Sequence, residues 1–225
     1  MEEFLSKCER AVLAGDKASA VELAEEAVRS GMPLLDVVEG GFVKGIRRVG
    51  RLWEEGTYFL PELVMGAEAV KGALSLLNPS LSGQRKIMSS KGVVVIGTVE
   101  GDIHDIGKTL VATMLSASGY RVVDIGADKT SGEFVDRAVE EEAYLIAASA
   151  LLTTTMRSQQ GIIEELVKRG ARERFGVIVG GAPCSRDWAE KIGADGYAKS
   201  AVSGVDLVEG LITGRGGSGW PARGG

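Results

Sequence analysis

The sequence of 225 residues has very few histidines and cysteines, the residues from which most metal sites and all disulfides are built. It has one histidine, His104, and its two cysteines, Cys8 and Cys184, are too few for a disulfide framework. A chain without disulfides suits a reducing compartment, so we expect a cytoplasmic location. No apolar run approaches the roughly 20 residues of a membrane-spanning helix, so the sequence predicts no membrane partner.

The charge of the chain gives no sign of a nucleic-acid partner. Lysine and arginine number 26 against 31 aspartates and glutamates, for a net charge of −5, whereas nucleic-acid-binding domains carry a basic surface. The opening MEEFLSKCER has acidic residues where a secretory signal would have basic ones, so no export signal is expected. The 44% hydrophobic and 25% charged residues are typical of a globular protein.

A change in pattern divides the chain. Residues 78–91 are rich in Asn, Pro, Ser and Gly without an apolar period, which is typical of a linker. The sequence before it looks helical, and the sequence after it alternates short β-branched runs with helical segments. We therefore expect a helical domain at 1–88, an α/β domain at 89–213 and a flexible glycine-rich tail at 214–225.

The helical domain is predicted to be a four-helix bundle. Its helices are expected near 2–14 and 17–29, over a third segment ending at Gly56, and over 60–77. Short connections between amphipathic helices favour a bundle. The third helix contains Gly40, Gly41 and Gly45, which weaken a helix but permit the close approach of another helix or of a ligand. Its apolar positions are Val38, Phe42, Ile46, Val49 and Trp53, and those of the fourth helix are Leu60, Val64, Ala67, Val70, Leu74 and Leu77.

The α/β domain is predicted to be a five-stranded parallel sheet. Apolar runs at 93–98, 121–125, 145–148, 177–179 and 196–198 alternate with helical segments. Continuous apolar strands separated by helices indicate a parallel sheet with both faces covered. The expected fold class is thus α/β, flavodoxin-like (Rossmann-like), preceded by the all-α bundle. Ligands of such sheets lie beyond the carboxyl ends of the strands.

Three loops at that edge hold the residues that could bind a ligand or a metal. They are 101–107 after the first strand, 149–155 after the third and 180–183 after the fourth. None matches the glycine pattern of a dinucleotide-binding turn or of a P-loop. In the first loop His104 stands between Asp102 and Asp105, an arrangement in which a carboxylate can fix the imidazole tautomer of a metal ligand. An ordinary loop histidine is the alternative.

The scarcity of ligands limits what metal His104 can bind. A zinc site needs three or four protein ligands, and no second histidine exists. A metal bound by His104 would have to bring most of its own ligands, as the metal of a macrocycle does.

Read together, the three loops resemble a known fingerprint. The elements D-x-H-x-x-G at 102–107, S-x-L at 149–151 and the pair Gly180-Gly181 are similar to the cobalamin-binding motif of methionine synthase and its relatives. The segment VGRLWEEG at 49–56, followed by YFLPEL at 58–63, resembles the helical cap of methyltransferase corrinoid proteins. The resemblance covers residues 1 to about 213.

The resemblance implies a cofactor and a site. The cofactor is cobalamin or a related corrinoid in its methylcobalamin form. His104 is implied to be the lower ligand of the cobalt, Asp102 to hold the histidine, and Thr155 to complete the relay. The hydroxyls at 153–155 could also cap the helix that follows, and the two roles are compatible. The further cofactor contacts implied are Asp105, Ile106, Gly107, Ser149, Leu151, Thr153, Gly180 and Gly181.

The bundle is implied to cover the other face of the corrin ring. The candidates for that face are Trp53, Phe59, Leu60 and Met65, and the competing interpretation of each is ordinary bundle core.

The function implied is that of a methyl carrier in one-carbon metabolism, which is not a complete enzyme alone. It would accept a methyl group on cobalt from a substrate:corrinoid methyltransferase. A second methyltransferase, acting on a thiol or tetrahydrofolate, would take the methyl group, and a reductive activator would be a further partner.

The alternative functions are those of a cobalamin-dependent regulator and of the cofactor subunit of a mutase. A phosphoreceiver is disfavoured because Ser149 stands where its aspartate would be. The sequence names neither the methyl donor nor the acceptor.

Overall fold

The computed structural model describes residues 1–80 and 91–216. The chain forms two compact units, one of Met1–Lys91 with Thr113–Tyr120 and the other of Gly92–Ala112 with the chain from Arg121 onward. The expected boundary at 88/89 and most of the expected linker lie outside the described residues. The domain limits therefore stay a prediction.

The first unit is an all-α bundle, as the sequence predicts. The predicted third helix is one helical stretch in three parts, because six residues in its middle adopt π-helical geometry. The glycine-containing run VEGGFV forms that π segment, which nothing in the apolar spacing predicts. The elements are α1 (Glu2–Leu13), α2 (Lys17–Arg29), α3 (Leu34–Val37), the π segment (Val38–Val43), α4 (Lys44–Glu54) and α5 (Leu60–Ser80).

Helix α5 buries a different face from the one expected at its start. Leu63 is fully buried, whereas Leu60 and Val64, two of the apolar positions named for the fourth helix, are 42% and 46% exposed. The helical period alone does not say which of two adjacent apolar stripes meets the neighbouring helices. Further along, the buried positions are Ala67, Val70, Leu74 and Leu77, as predicted.

The glycines of the third helix permit close packing against α1. A Cβ atom added at Gly45 would lie 2.7 Å from the Val12 Cβ, and one at Gly41 would lie 2.7 Å from the Cys8 Cβ. Carbon atoms without a bond between them approach to about 3.5 Å. Of the two interpretations left open by the sequence, contact with a neighbouring helix is therefore the one that the structure supports at Gly41 and Gly45.

Gly45→Ala is expected to destabilise the bundle by about 1–3 kcal/mol, because the added methyl group overlaps Val12. Helix propensity alone would favour alanine by up to about 1 kcal/mol. Gly210→Ala is the matched control, since a Cβ there meets nothing within 4 Å. Urea unfolding followed by far-UV circular dichroism checks both variants. Equal stabilities for the two would contradict the packing argument.

The second unit is a parallel sheet with helical connections. The strand order is β2-β1-β3-β4-β5, and every neighbouring pair is parallel. This order is the flavodoxin-like one that the sequence predicts. The elements are β1 (Val93–Thr98), α6 (Ile106–Ala117), β2 (Arg121–Asp124), α7 (Ser131–Glu140), β3 (Leu145–Ser149), α8 (Met156–Lys168), a short 3₁₀ turn (Arg172–Arg174), β4 (Gly176–Gly180), α9 (Arg186–Ile192), β5 (Gly196–Ala198) and α10 (Ala201–Gly216).

One face of the sheet carries a large apolar core. Ile146 and Val177 on neighbouring strands pack with Phe134 of α7 and with Ile162 and Leu166 of α8. Burial of side chains of this size stabilises the fold by about 1.5–3 kcal/mol each. Side chains alternate between the two faces along each strand, so residues between the core positions, such as Thr98 and Ser149, point to the other face.

The strand order sets the position of the functional loops. The chain passes from β1 to opposite sides of the sheet when it forms β2 and β3, and ligands of such folds bind in the crevice at this reversal. Thr98 at the end of β1 pairs in register with Ser149 at the end of β3. The loops after β1 and β3 therefore begin side by side.

The carboxyl end of the described chain is more helical than expected. Helix α10 runs to Gly216, past residue 213 where the α/β domain was expected to end, and residues 217–225 of the expected tail lie outside the described residues. Across residues 1–80 and 91–216, none of the helices combines the length and the apolar character needed to cross a membrane.

Candidate functional site

Asp102 joins the loops after β1 and β3. Its side chain is completely buried. Oδ1 accepts hydrogen bonds from the His104 backbone amide at 3.0 Å and faces the His104 Nδ1 at 2.7 Å. Oδ2 accepts from the amides of Leu151 at 2.7 Å and Leu152 at 3.3 Å and from the Thr155 hydroxyl at 2.8 Å. The structure thus brings together Asp102, His104 and Thr155.

These hydrogen bonds keep Asp102 ionised. Burial on its own would raise the pKa of the Asp102 carboxyl, but the donors from His104, Leu151 and Thr155 outweigh it and hold the pKa well below its usual range. A lowered folded-state pKa contributes stability above about pH 4, the pKa of an unfolded aspartate, and this stability is lost as the pH falls through the folded value.

The ionised carboxylate determines the tautomer of His104. A carboxylate only accepts hydrogen bonds, so Nδ1 carries a proton, and in the neutral form of the ring Nε2 is the nitrogen that keeps its lone pair. The imidazole is 47% exposed, and no described residue hydrogen-bonds to Nε2. His104 therefore presents one neutral nitrogen, in a fixed orientation, as a potential metal ligand.

Thr155 does not act as a helix cap. It occupies the position before α8, but its side chain makes no capping hydrogen bond. Its hydroxyl lies 2.8 Å from Asp102 Oδ2 and 2.9 Å from the Leu152 carbonyl oxygen. The capping interpretation is therefore wrong for this residue, and the hydroxyl supports the carboxylate instead.

Thr155→Val is expected to destabilise the α/β unit by about 1–3 kcal/mol, because it removes a donor from a buried carboxylate without changing the side chain's shape. Thr155→Ser is the matched control, since it keeps the hydroxyl and should recover most of the loss. Denaturant unfolding of the cofactor-free protein at neutral pH measures both. A valine variant as stable as the serine variant would show that the bond contributes nothing.

Exposed apolar side chains stand beside the imidazole. Ile103 and Ile106 in the His104 loop are 78% and 69% exposed, and Leu151 and Leu152 in the loop bonded to Asp102 are 42% and 43% exposed. A solvent-exposed apolar group of this kind marks a binding surface. In the described part of the chain, no three His, Cys, Asp or Glu side chains are grouped to hold a metal ion. A single neutral nitrogen set in an apolar surface fits a flat macrocycle that brings its own metal.

The remaining cofactor contacts implied by the sequence lie along the same edge. Asp105, Ile106, Gly107 and Thr153 are exposed, and Ser149, Gly180 and Gly181 are half-buried. Among the described residues, the hydroxyls of Ser149 and Thr153 have no hydrogen-bond partner. Two hydroxyls are therefore available to a ligand at this edge, whereas that of Thr155 is already engaged.

The residues implied to cover the ring lie on the surface of the helical unit. Phe59 and Met65 are 66% and 46% exposed, and Trp53 is half-buried. Together with Leu60 and Val64 they form an apolar surface around the start of α5. The bundle-core interpretation is thus wrong for Phe59, Leu60 and Met65.

Sequence reasoning missed the residues that brace the histidine loop. Asp128, which has a φ of 55°, accepts from the Gly101 amide at 2.8 Å and donates its own amide to the Asp102 carbonyl at 3.0 Å. Thr98 donates its hydroxyl to the His104 carbonyl at 2.9 Å. The signal for Asp128 was its position in the loop that follows β2, since aspartate tolerates positive φ. An ion pair between the buried Lys108 and the exposed Asp124 was also missed.

A doubly wound sheet with a carboxylate-held imidazole at its reversal point fits the cobalamin-binding domain that the three loops resemble. Comparisons with known proteins agree. Residues 92–206 match a family model described as B12 binding domain, and residues 5–78 match a second model with the same description. A corrinoid protein of Desulfitobacterium hafniense is 46% identical over 212 residues, covering 93% of this chain and 97% of that protein. Trimethylamine corrinoid protein 1 of Methanosarcina acetivorans is 42% identical, covering 94% and 98%. The chain belongs to the corrinoid proteins of methyltransferase systems.

Solved structures are similar over both units. A cobalamin-binding protein from Desulfitobacterium hafniense has a TM-score of 0.77 at 28% identity, with 92% of this chain and 98% of that chain covered. A chain of the methanol:cobalamin methyltransferase complex from Methanosarcina barkeri has a TM-score of 0.76 at 29% identity, with 94% and 80% covered. The predicted family, fold class and cofactor class are confirmed. None of these relatives supports the regulator or mutase alternative.

Proposed function

We propose that this chain carries a methyl group between two methyltransferases, with His104 as the lower ligand of the bound corrinoid. When bound, the corrinoid cobalt supplies the position that holds the methyl group between the two reactions. The relatives that are corrinoid proteins of methylamine and methanol systems support the carrier function. The ligand assignment rests on one observation, the 2.7 Å contact of His104 Nδ1 with the buried Asp102.

The roles of the three central residues follow from their hydrogen bonds. Asp102 holds the proton on Nδ1 and so directs the lone pair of Nε2 outward. An ionised partner also raises the electron density of the imidazole, which strengthens it as a ligand. Thr155 donates to the other carboxylate oxygen and keeps the carboxylate from rotating.

The remaining edge residues are proposed to hold the ring and the nucleotide tail. Ile106 and Leu151 offer apolar contact to the ring, and Asp105 and Gly107 border it. Gly180 and Gly181 are proposed to border the tail, and the structure shows a further reason for glycine at position 181, where the loop after β4 lies against the Ala150 carbonyl. Ser149 and Thr153 offer hydroxyls to its polar atoms, because neither has another partner among the described residues.

The exposed apolar surface of the helical unit is proposed to shield the other face of the ring. Phe59, Leu60, Val64 and Met65 would exclude water from the methyl-bearing side. Trp53 is the remaining candidate for that face.

Three partners are proposed. A substrate:corrinoid methyltransferase donates the methyl group, and a corrinoid:thiol or corrinoid:tetrahydrofolate methyltransferase receives it. A reductive activator restores the cofactor after accidental oxidation. We further propose a cytoplasmic location, which the two free cysteines, Cys8 and Cys184, support.

The test is reconstitution of the full chain with hydroxocobalamin under reducing conditions, followed by gel filtration and absorbance spectroscopy. Stoichiometric corrinoid retained by the protein is expected. The loaded protein is then mixed with methyltransferases for trimethylamine, dimethylamine or methanol, and methylation is followed by the change in cofactor absorbance. A protein that retains no corrinoid would overturn the proposal. Retention without methylation by any of these donors would overturn the carrier role in those systems.

A further inference from the structure

Gln159 is a fully buried polar side chain within the apolar face of α8. Its Nε2 donates to the Ala148 carbonyl at 3.0 Å and to the Gly180 carbonyl at 3.1 Å. Its Oε1 accepts from the Trp188 indole Nε1 at 2.9 Å and lies 3.4 Å from the Cys184 Sγ. Both amide hydrogens and the amide oxygen are therefore satisfied in a site where an unmade hydrogen bond would be costly.

The two carbonyls that Gln159 joins lie where β3 and β4 end. Ser149 and Gly180 are the last paired residues of these strands. Beyond them the loops stay in backbone contact, because a Cβ added at Gly181 would lie 2.7 Å from the carbonyl carbon of Ala150. Gln159 therefore bridges the two strands at the point where their loops begin.

The orientation of the amide is fixed by Trp188. An indole N–H only donates, so it must face the amide oxygen, and the NH₂ group is left for the two carbonyls. Burial raises the pKa of the Cys184 thiol, so the thiol is also protonated beside these acceptors. Neither glutamate nor an apolar residue reproduces this pattern, since neither donates two hydrogen bonds.

We propose that Gln159 is a positioning residue for the nucleotide tail of the corrinoid. Through its bonds to the Ala148 and Gly180 carbonyls it sets the relative position of the loops at 149–155 and 180–185, and so of the Ser149 hydroxyl and the Gly180 main chain that the tail would contact. This inference rests on the proposed function. His104 depends less on Gln159, because Asp102 has its own hydrogen bonds to Leu151 and Thr155.

The test compares two corrinoids that share a ring but differ in the tail. Cobalamin carries the nucleotide tail and cobinamide lacks it. Gln159→Met keeps the length of the side chain and removes its hydrogen bonds. Gln160→Met is the matched control, because Gln160 bonds only to Glu164 on the surface of the same helix. The dissociation constants of the full-length, cofactor-free proteins are measured by absorbance titration, together with their melting temperatures.

For Gln159→Met we expect cobalamin affinity to fall by about tenfold or more while cobinamide affinity changes by less than about twofold. A general loss of stability would weaken both equally, so the ratio of the two affinities is the diagnostic quantity. An unchanged ratio would overturn the inference. If Gln159→Met does not fold, Trp188→Phe decides the question by the same ratio, because it removes the donor that orients the amide. A wild-type protein that binds neither corrinoid would instead overturn the proposed function.

Discussion

His104→Ala is expected to remove the protein nitrogen from the corrinoid cobalt and to slow methyl transfer by about 100-fold or more, since changes that only weaken a metal ligand's support already cost 10–100-fold. The cofactor-free fold should survive, because the imidazole is 47% exposed and its one ring hydrogen bond is to Asp102. Corrinoid should still bind through contacts to the ring and tail.

The measurement uses the fact that the chain has a single histidine. Protein grown with ¹⁵N-histidine, loaded with unlabelled cobalamin and reduced by one electron to the paramagnetic cobalt(II) state should show a ¹⁵N splitting in the paramagnetic resonance spectrum of the cobalt. His104→Ala prepared in the same way should lose it, and added imidazole should restore a nitrogen signal. A wild-type spectrum that is insensitive to the label would mean that the cofactor's own base, and not His104, is the ligand.

Gly181→Ala is expected to destabilise the α/β unit by about 3 kcal/mol or more, as the sum of overlap and backbone strain. The φ angle of Gly181 is +123°, which side chains disfavour, and the added Cβ would lie directly on the Ala150 carbonyl. The main chain of the loop after β4 must move to relieve this overlap. Thermal unfolding of the cofactor-free protein measures the loss, and corrinoid binding should weaken as well.

Gly193→Ala is the matched control for that variant. Gly193 also has a positive φ, +77°, but a Cβ there meets nothing within 4 Å. Only the conformational cost of about 1 kcal/mol is therefore expected. If the two variants unfold at the same temperature, the contact between Gly181 and Ala150 is not what restricts position 181 to glycine.

Much of the fold was predictable from local patterns. The bounds predicted for β1 and β5 coincide with those observed, because compact apolar runs are bordered there by glycines and polar turns. The π segment was not predictable, since it follows from how the third helix packs against α1 and not from its own spacing. The outward direction of Leu60 and Val64 depends in the same way on tertiary neighbours.

The candidate site was predictable in part. The three loops placed Asp102, His104 and Thr155 at one edge of the sheet, and the strand order explains why Leu151 can bond to Asp102, 49 residues earlier in the chain. The only sign of Gln159's buried hydrogen bonds in the sequence is that a single amide side chain interrupts the apolar stripe of α8. Such a residue is indistinguishable by pattern from one that points to solvent until its partners are known.

The two oxygens of Asp102 are bonded to different loops, and this limits how the imidazole can move. In the described structure Oδ1 accepts from His104 alone, whereas Oδ2 accepts from Leu151, Leu152 and Thr155. A tilt of the ring that turned the carboxylate would stretch the bonds on both sides at once. The orientation of the imidazole is thus coupled through one buried carboxylate to the position of the loop after β3, so that a displacement of either loop strains the hydrogen bonds of the other.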